Sequence, residues 1–117
     1  MIKQPERATK TNVQGGPGEV HFEYIASEEE LLGAARLYAR ITVPKGSGIG
    51  VHTHTGETEP YFILSGTGIF TDCDGVEKPV KAGDVCAILP GQSHGIRNEA
   101  DEDLVFMALI HFDINGK

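Results

Sequence analysis

Apolar residues along this chain alternate with polar ones more often than they recur at helical spacing. From Pro44 onward, short alternating or apolar stretches are separated by turn residues. The pattern predicts strands over Ile49–Thr55, Tyr61–Gly66, Gly68–Thr71, a short stretch within 76–84, Val85–Gly91, a short stretch within 92–98, and Leu104–Phe112. Asp74–Gly75 marks a hairpin between two of them. Upstream, Glu19–Ala26 alternates His and Glu with Phe and Tyr, and Leu37, Ala39, Ile41 and Val43 alternate before Pro44. Between these, Ser27 and Glu30 form a capping-box pair, so a short helical turn is expected over about Glu28–Leu32, broken by Gly33. One long helix through Arg40 is the competing reading, opposed by the β-branched run Ile41-Thr42-Val43 and the Pro44 stop. Residues 1–18 are polar and end in Gly-Gly-Pro-Gly, which reads as a flexible lead-in. About eight or nine short strands over residues 19–117 predict one all-β domain, a sandwich or a barrel.

The length of 117 residues fits one domain. With 39% hydrophobic residues and no Trp, the core must be mainly aliphatic with a few Phe and Tyr. The net charge of −7 and the lack of a basic stripe speak against nucleic acid and anionic membranes as partners. Cys73 and Cys86 form no CxxC pair and no disulfide framework, so two reduced thiols are expected. The N-terminus carries no apolar signal region and no apolar run reaches membrane-spanning length. A cytoplasmic protein is the expectation.

Candidate chemistry concentrates in two segments. A strand points residues i and i+2 to one face, so His52 and His54 should project side by side, as two metal ligands on one rigid element would. Alone, such a pair is weak evidence. Glu59 follows at the start of the next strand, where it can return to the same face, and His94 sits in a turn before a later short strand. Three imidazoles and a carboxylate suit one divalent transition metal ion: Mn, Fe, Co, Ni, Cu or Zn.

These segments resemble the two motifs of the cupin superfamily, of the conserved-barrel type. The first reads Gly46, five residues, His52-x-His54, four residues, Glu59, six residues, Gly66. The second supplies Gly83, Gly91, His94 and Asn98 at matching spacing, with Pro90 directly before Gly91 rather than one residue earlier. The motifs span Gly46 to Asn98; elsewhere only the strand pattern agrees. The resemblance implies a jelly-roll (double-stranded β-helix) barrel holding a metal on His52, His54, Glu59 and His94. It also implies frequent dimerisation. If His52 and His54 face inward, Ile49, Val51, Thr53 and Thr55 face outward, and Phe62 and Leu64 face away from Glu59, Tyr61 and Ile63. Apolar residues on both faces need cover, from a second subunit in a homodimer or from the N-terminal strand.

Other residues have a plain reading beside a functional one. Glu57, in the loop between the His pair and Glu59, is the candidate catalytic acid or base over the mouth of the site; the plain reading is a solvated carboxylate. Tyr61 either lines the cavity or packs in the core. Gly46, Gly66, Gly83 and Gly91 read as turn glycines with positive φ. Asn98 reads as a backbone-bonding turn residue. Gln92 and Arg97 flank His94, but Arg97 is out of phase with it and should point away. His21 and His111 read as surface or core-edge histidines, and Cys86 as a small apolar filler.

The resemblance implies a metalloenzyme acting on a small organic molecule, by oxygenase-, decarboxylase- or isomerase-type chemistry. A sugar-phosphate substrate is disfavoured, because Lys45, Lys78, Lys81 and Arg97 are the only basic residues near the motifs. The alternative is a non-catalytic module that binds or senses a small ligand. The intact ligand set favours the enzyme.

Overall fold

The computed structural model describes residues 1–115, and these are almost entirely strand and turn. Eleven strands run in chain order: β1 (Glu6–Thr11), β2 (Glu19–Tyr24), β3 (Ala35–Val43), β4 (Gly48–Thr53), β5 (Glu57–Thr58), β6 (Tyr61–Ser65), β7 (Thr67–Thr71), β8 (Glu77–Lys81), β9 (Val85–Cys86), β10 (Ser93–Arg97) and β11 (Leu104–Phe112). They form two antiparallel sheets. One has the order β1-β2-β3-β11-β6-β9, with β5 added beside the end of β11. The other has the order β4-β10-β7-β8. Inward-facing Val20, Ile41, Ile63, Phe106, Phe70 and Ile96 fill the space between them, as the period of two requires. This is the all-β architecture that the strand pattern predicts, in the jelly-roll form that the resemblance implies.

Three expectations need correction. Residues 1–18 are not simply a lead-in: β1 pairs with β2 over six residues, Glu6↔Tyr24 to Thr11↔Glu19. Its sequence ERATKT is polar on both faces because β1 is an edge strand and mostly exposed, so no alternation announces it. Val13–Gly15 then form a 3-10 turn, the only helical element among the described residues. The helical turn expected over Glu28–Leu32 is a run of hydrogen-bonded turns. The capping box itself is formed: Glu30 N–H donates to Ser27 Oγ at 3.1 Å, and Ser27 N–H to Glu30 Oε1 at 2.9 Å. Left-handed φ values at Leu32 (57°) and Gly33 (72°) stop the chain before a helix can propagate.

The third correction concerns β4. Ile49 was expected to face outward and is instead buried, 7% exposed, in the same core as Ile96. Between the pairs His94↔His52 and Ile96↔Ile49, β10 advances two residues while β4 advances three. This bulge inserts one residue into β4, so Ile49 and His52, an odd number apart, both point inward. Val51 stays outside, 59% exposed. At the same place the 3-10 turn lies against β4: a Cβ on Gly50 would sit 2.1 Å from the Gln14 carbonyl oxygen. The backbones touch there because residue 50 has no side chain.

Other expectations hold. Gly46, Gly66, Gly83 and Gly91 all have positive φ. Phe62 and Leu64 face out, 47% and 40% exposed, opposite buried Tyr61 and Ile63. β1 and β2 join that sheet edge-on and do not cover them. Cys86 is buried and Cys73 exposed, and both are free thiols. No helix among the described residues is long and apolar enough to cross a membrane.

Candidate metal centre

Three elements bring four side chains to one point. His52 comes from β4, His54 from the residue after its end, His94 from β10, and Glu59 from the link between β5 and β6. His94 is opposite His52 in register, so the neighbouring strand supplies the third imidazole at the level of the first. The donor atoms face one another. His54 Nε2 lies 3.0 Å from His52 Nε2, 3.1 Å from His94 Nε2 and 3.1 Å from Glu59 Oε1. His94 Nε2 lies 3.2 Å from Glu59 Oε1, and His52 Nε2 is 3.8 Å from it. All four ligand atoms lie within 4.8 Å of one another.

The donor set fits a divalent cation. Two ligands at right angles on an ion with bonds of about 2.1 Å are about 3.0 Å apart, close to the spacings seen. His52 Nδ1 is 2.7 Å from the Gly50 carbonyl oxygen and donates to it, so its Nε2 presents a lone pair. His54 Nδ1 is likewise committed, 2.5 Å from Glu57 Oε2. Lone pairs therefore converge on one space, an arrangement that repels itself without a positive charge at its centre. Neither Cys is in the group, so the set is nitrogen and oxygen only.

Burial works to raise the Glu59 carboxyl, but the imidazoles of His52, His54 and His94 facing it outweigh burial and hold the group well below the usual range. His54 is raised by the two carboxylates on either side of its ring, Glu59 first and Glu57 as well. His94 is lowered by burial, which keeps it neutral with its lone pair available. Its ring is fully buried, stacked on Tyr61 at 4.9 Å and edge-on to Phe70 at 5.8 Å. Burial also pushes the Tyr61 hydroxyl well up, and that hydroxyl donates to Glu59 Oε1 at 3.3 Å.

Beside the donors lies a cavity of about 140 Å³. Its lining includes His52, His54, Glu59 and Tyr61, apolar Phe22, Leu37, Ile41 and Ile110, and polar Lys10, Gln14 and Arg36. Two larger surface grooves, of about 530 and 620 Å³, contain none of the four donors. Lys10, Gln14 and Arg36 carry no sequence signal: the pairing of β1 with β2, the 3-10 turn that follows β1 and the path of β3 bring them to the cavity.

Glu57 is not where the sequence reading put it. It forms β5 with Thr58, is 8% exposed, and is not part of the cavity lining. Its carboxylate accepts from Arg36 Nε and Nη2, both at 2.7 Å, and faces His54 Nδ1. Pairing with Phe112 at the end of β11 draws it in from the loop. The bond to Arg36 holds its carboxyl below the ordinary range. Arg97 points away, as expected, to Glu77 and Glu99. Gln92 Oε1 accepts from Leu89 N–H within the turn, and Asn98 bonds backbone only. His21 is half-buried beside Thr9 and His111 is exposed.

The cupin domain family profile matches residues 39–110, more than half of the chain. This chain is a cupin. The cupin is 47% identical over 106 residues to an oxalate-binding protein of Thermotoga maritima, covering 91% of this chain and 85% of that protein. Its fold matches the crystal structure of a predicted oxalate decarboxylase of T. maritima with a TM-score of 0.86 at 45% identity, over 94% of this chain and 93% of that one. A Cupin 2 conserved barrel domain protein of Salinispora arenicola matches at 25% identity and TM-score 0.67, over 82% of this cupin and 77% of that chain.

Proposed function

We propose that this cupin binds a small dicarboxylate, with oxalate as the type, at a divalent metal held by His52, His54, Glu59 and His94. The observation that carries this reading is the cavity itself: it is small, and it sets the cation Lys10 beside three of the four donors, His52, His54 and Glu59. A metal bound there would supply a Lewis acid for carboxylate oxygens. Lys10 would offset the remaining charge of the dianion, and the small volume would exclude larger molecules. The T. maritima relative named as an oxalate-binding protein supports the ligand class.

Decarboxylation is the second reading, supported by the neighbour named as a predicted oxalate decarboxylase. It would convert oxalate and one proton to formate and carbon dioxide. The proton source would have to be a cavity group such as Lys10, because Glu57 is committed to Arg36 and His54.

The test has two stages. Purified protein and His94→Ala are loaded separately with Mn, Fe, Ni and Zn, desalted and analysed for metal. About one ion per chain in the wild type, lost in the variant, supports the site; no retained metal in either overturns it. Metal-loaded protein is then titrated with oxalate and with acetate. Saturable, oxalate-selective heat supports the binder, and equal weak responses refute it. Release of formate in step with oxalate loss replaces binding by decarboxylation, and oxygen uptake replaces it by oxygenation.

The same reading includes a homodimer formed through the outer face of the larger sheet, where Phe62 lies opposite both Val85 and Met107. Light scattering at micromolar concentration is expected to give twice the chain mass; the single-chain mass refutes the dimer.

A further inference from the structure

The three histidines of the site differ on the side away from the cavity. His52 Nδ1 has a neutral backbone carbonyl, that of Gly50. His94 Nδ1 is buried with no hydrogen-bond partner among the described residues. His54 Nδ1 alone has a carboxylate, Glu57 Oε2 at 2.5 Å. That carboxylate is itself fixed at both oxygens by one guanidinium, Arg36 Nε to Oε1 and Nη2 to Oε2, each at 2.7 Å. The chain has a dedicated element for this: β5 is only Glu57 and Thr58, and its pairing with the end of β11 holds Glu57 in place.

We infer that Glu57, clamped by Arg36, is a positioning residue that fixes His54 with its proton on Nδ1 and its Nε2 lone pair aimed at the metal. The inference rests on the metal-binding part of the function proposed above. Imidazole has two nitrogens of nearly equal basicity, and a free ring samples both tautomers and several orientations. An acceptor on Nδ1 selects one tautomer, and a charged acceptor also makes Nε2 a stronger donor. Glu57 could do this poorly alone, because a carboxylate has rotamers of its own. The two parallel bonds from Arg36 fix its plane as well as its position. His54 therefore becomes the anchoring imidazole of the three, and Arg36 acts on the metal at two removes without touching it.

Zinc serves as the probe, since it is diamagnetic and does not change oxidation state. Zinc affinity is measured by competition with a chelator for the wild type, Glu57→Leu, Glu57→Gln and Arg36→Met. Each protein is also melted with and without zinc. Loss of a bond behind a metal-bound histidine weakens metal binding about 10–100-fold. Glu57→Leu should show that loss. Glu57→Gln, whose amide oxygen can still accept from Nδ1, should recover part of it, and Arg36→Met should fall between the wild type and Glu57→Leu.

The melts separate positioning from simple support of β5. A merely structural Glu57 would lower the apo and zinc-loaded transitions equally and leave the zinc-induced shift unchanged; a positioning Glu57 makes that shift smaller. In zinc-loaded wild type, the His54 Nδ1 proton should be a slowly exchanging downfield resonance coupled to nitrogen, lost in Glu57→Leu. If Glu57→Leu fails to fold, Glu57→Gln and Arg36→Met decide. Variants that bind zinc as tightly as the wild type overturn this inference alone. A wild type that takes up no zinc or other divalent metal overturns the function proposal together with it.

Discussion

Replacing Asn98 with alanine removes three hydrogen bonds at one point. Asn98 is 1% exposed. Its Nδ2 donates to the carbonyls of Val43 (2.9 Å) and Glu102 (2.7 Å), and its Oδ1 accepts from Ala100 N–H (2.9 Å). One side chain thus ties the end of β3 to the start of β11 and fixes the turn between β10 and β11. Each bond contributes about 1 kcal/mol net, so Asn98→Ala should cost about 3 kcal/mol. For a chain of this length that corresponds to a fall of about 10–15 °C in Tm. Asn98→Asp should be worse still. It keeps the acceptor for Ala100 but turns lone pairs toward two backbone carbonyls and buries a charge with no partner. The assay is urea unfolding followed by circular dichroism, with equal m-values required across the set. Below their transitions, both variants should bind metal and oxalate as the wild type does, because Asn98 bonds only backbone. A loss below about 1 kcal/mol for Asn98→Ala, or an Asp variant more stable than the Ala one, would refute the reasoning.

Lys10→Gln should weaken oxalate binding by about tenfold, the value of one hydrogen bond to a charged group, with metal affinity unchanged; the two titrations on one preparation check this, and an unchanged oxalate affinity counts against Lys10 as a ligand contact. Of the two thiols, only exposed Cys73 should react quickly with a disulfide reagent at pH 8, with Cys86 counted only after unfolding. Burial pushes the Cys86 thiol from 9.0 up to about 11, so the folded state keeps a proton there that the unfolded chain has lost. Stability should therefore be intact below about pH 9 and fall by about 2–3 kcal/mol as pH rises toward 11; Cys86→Ala should lose that part of the alkaline slope.

How much of this was legible in the sequence follows the range of the interactions. The period of two put His52 and His54 on one face, and the motif spacing brought in Glu59 and His94. The faces of Tyr61, Phe62, Ile63 and Leu64 followed from the same period. Ile49 was assigned the wrong face because a bulge resets the period, and its cause lies in the register with β10. Glu57 was misplaced because its burial depends on pairing with Phe112, far along the chain. Lys10 and Gln14 carry no signal because β1 is an edge strand without an apolar stripe and the 3-10 turn after it is only three residues long. Nothing local in the sequence says that a polar segment near the N-terminus will form the rim of a cavity.

The bulge in β4 also constrains how this strand can change. Ile49 and His52 share the inner face although they are three residues apart, because β4 holds one residue more than β10 between them. Deleting that residue would leave the two side chains two apart, and plain alternation would keep both inside. The strand should therefore tolerate the loss of one residue here better than a side chain at Gly50, whose Cβ would meet the Gln14 carbonyl oxygen. A related chain one residue shorter at this point can keep both its core and its histidine pair, with a regular ladder where this one is bent.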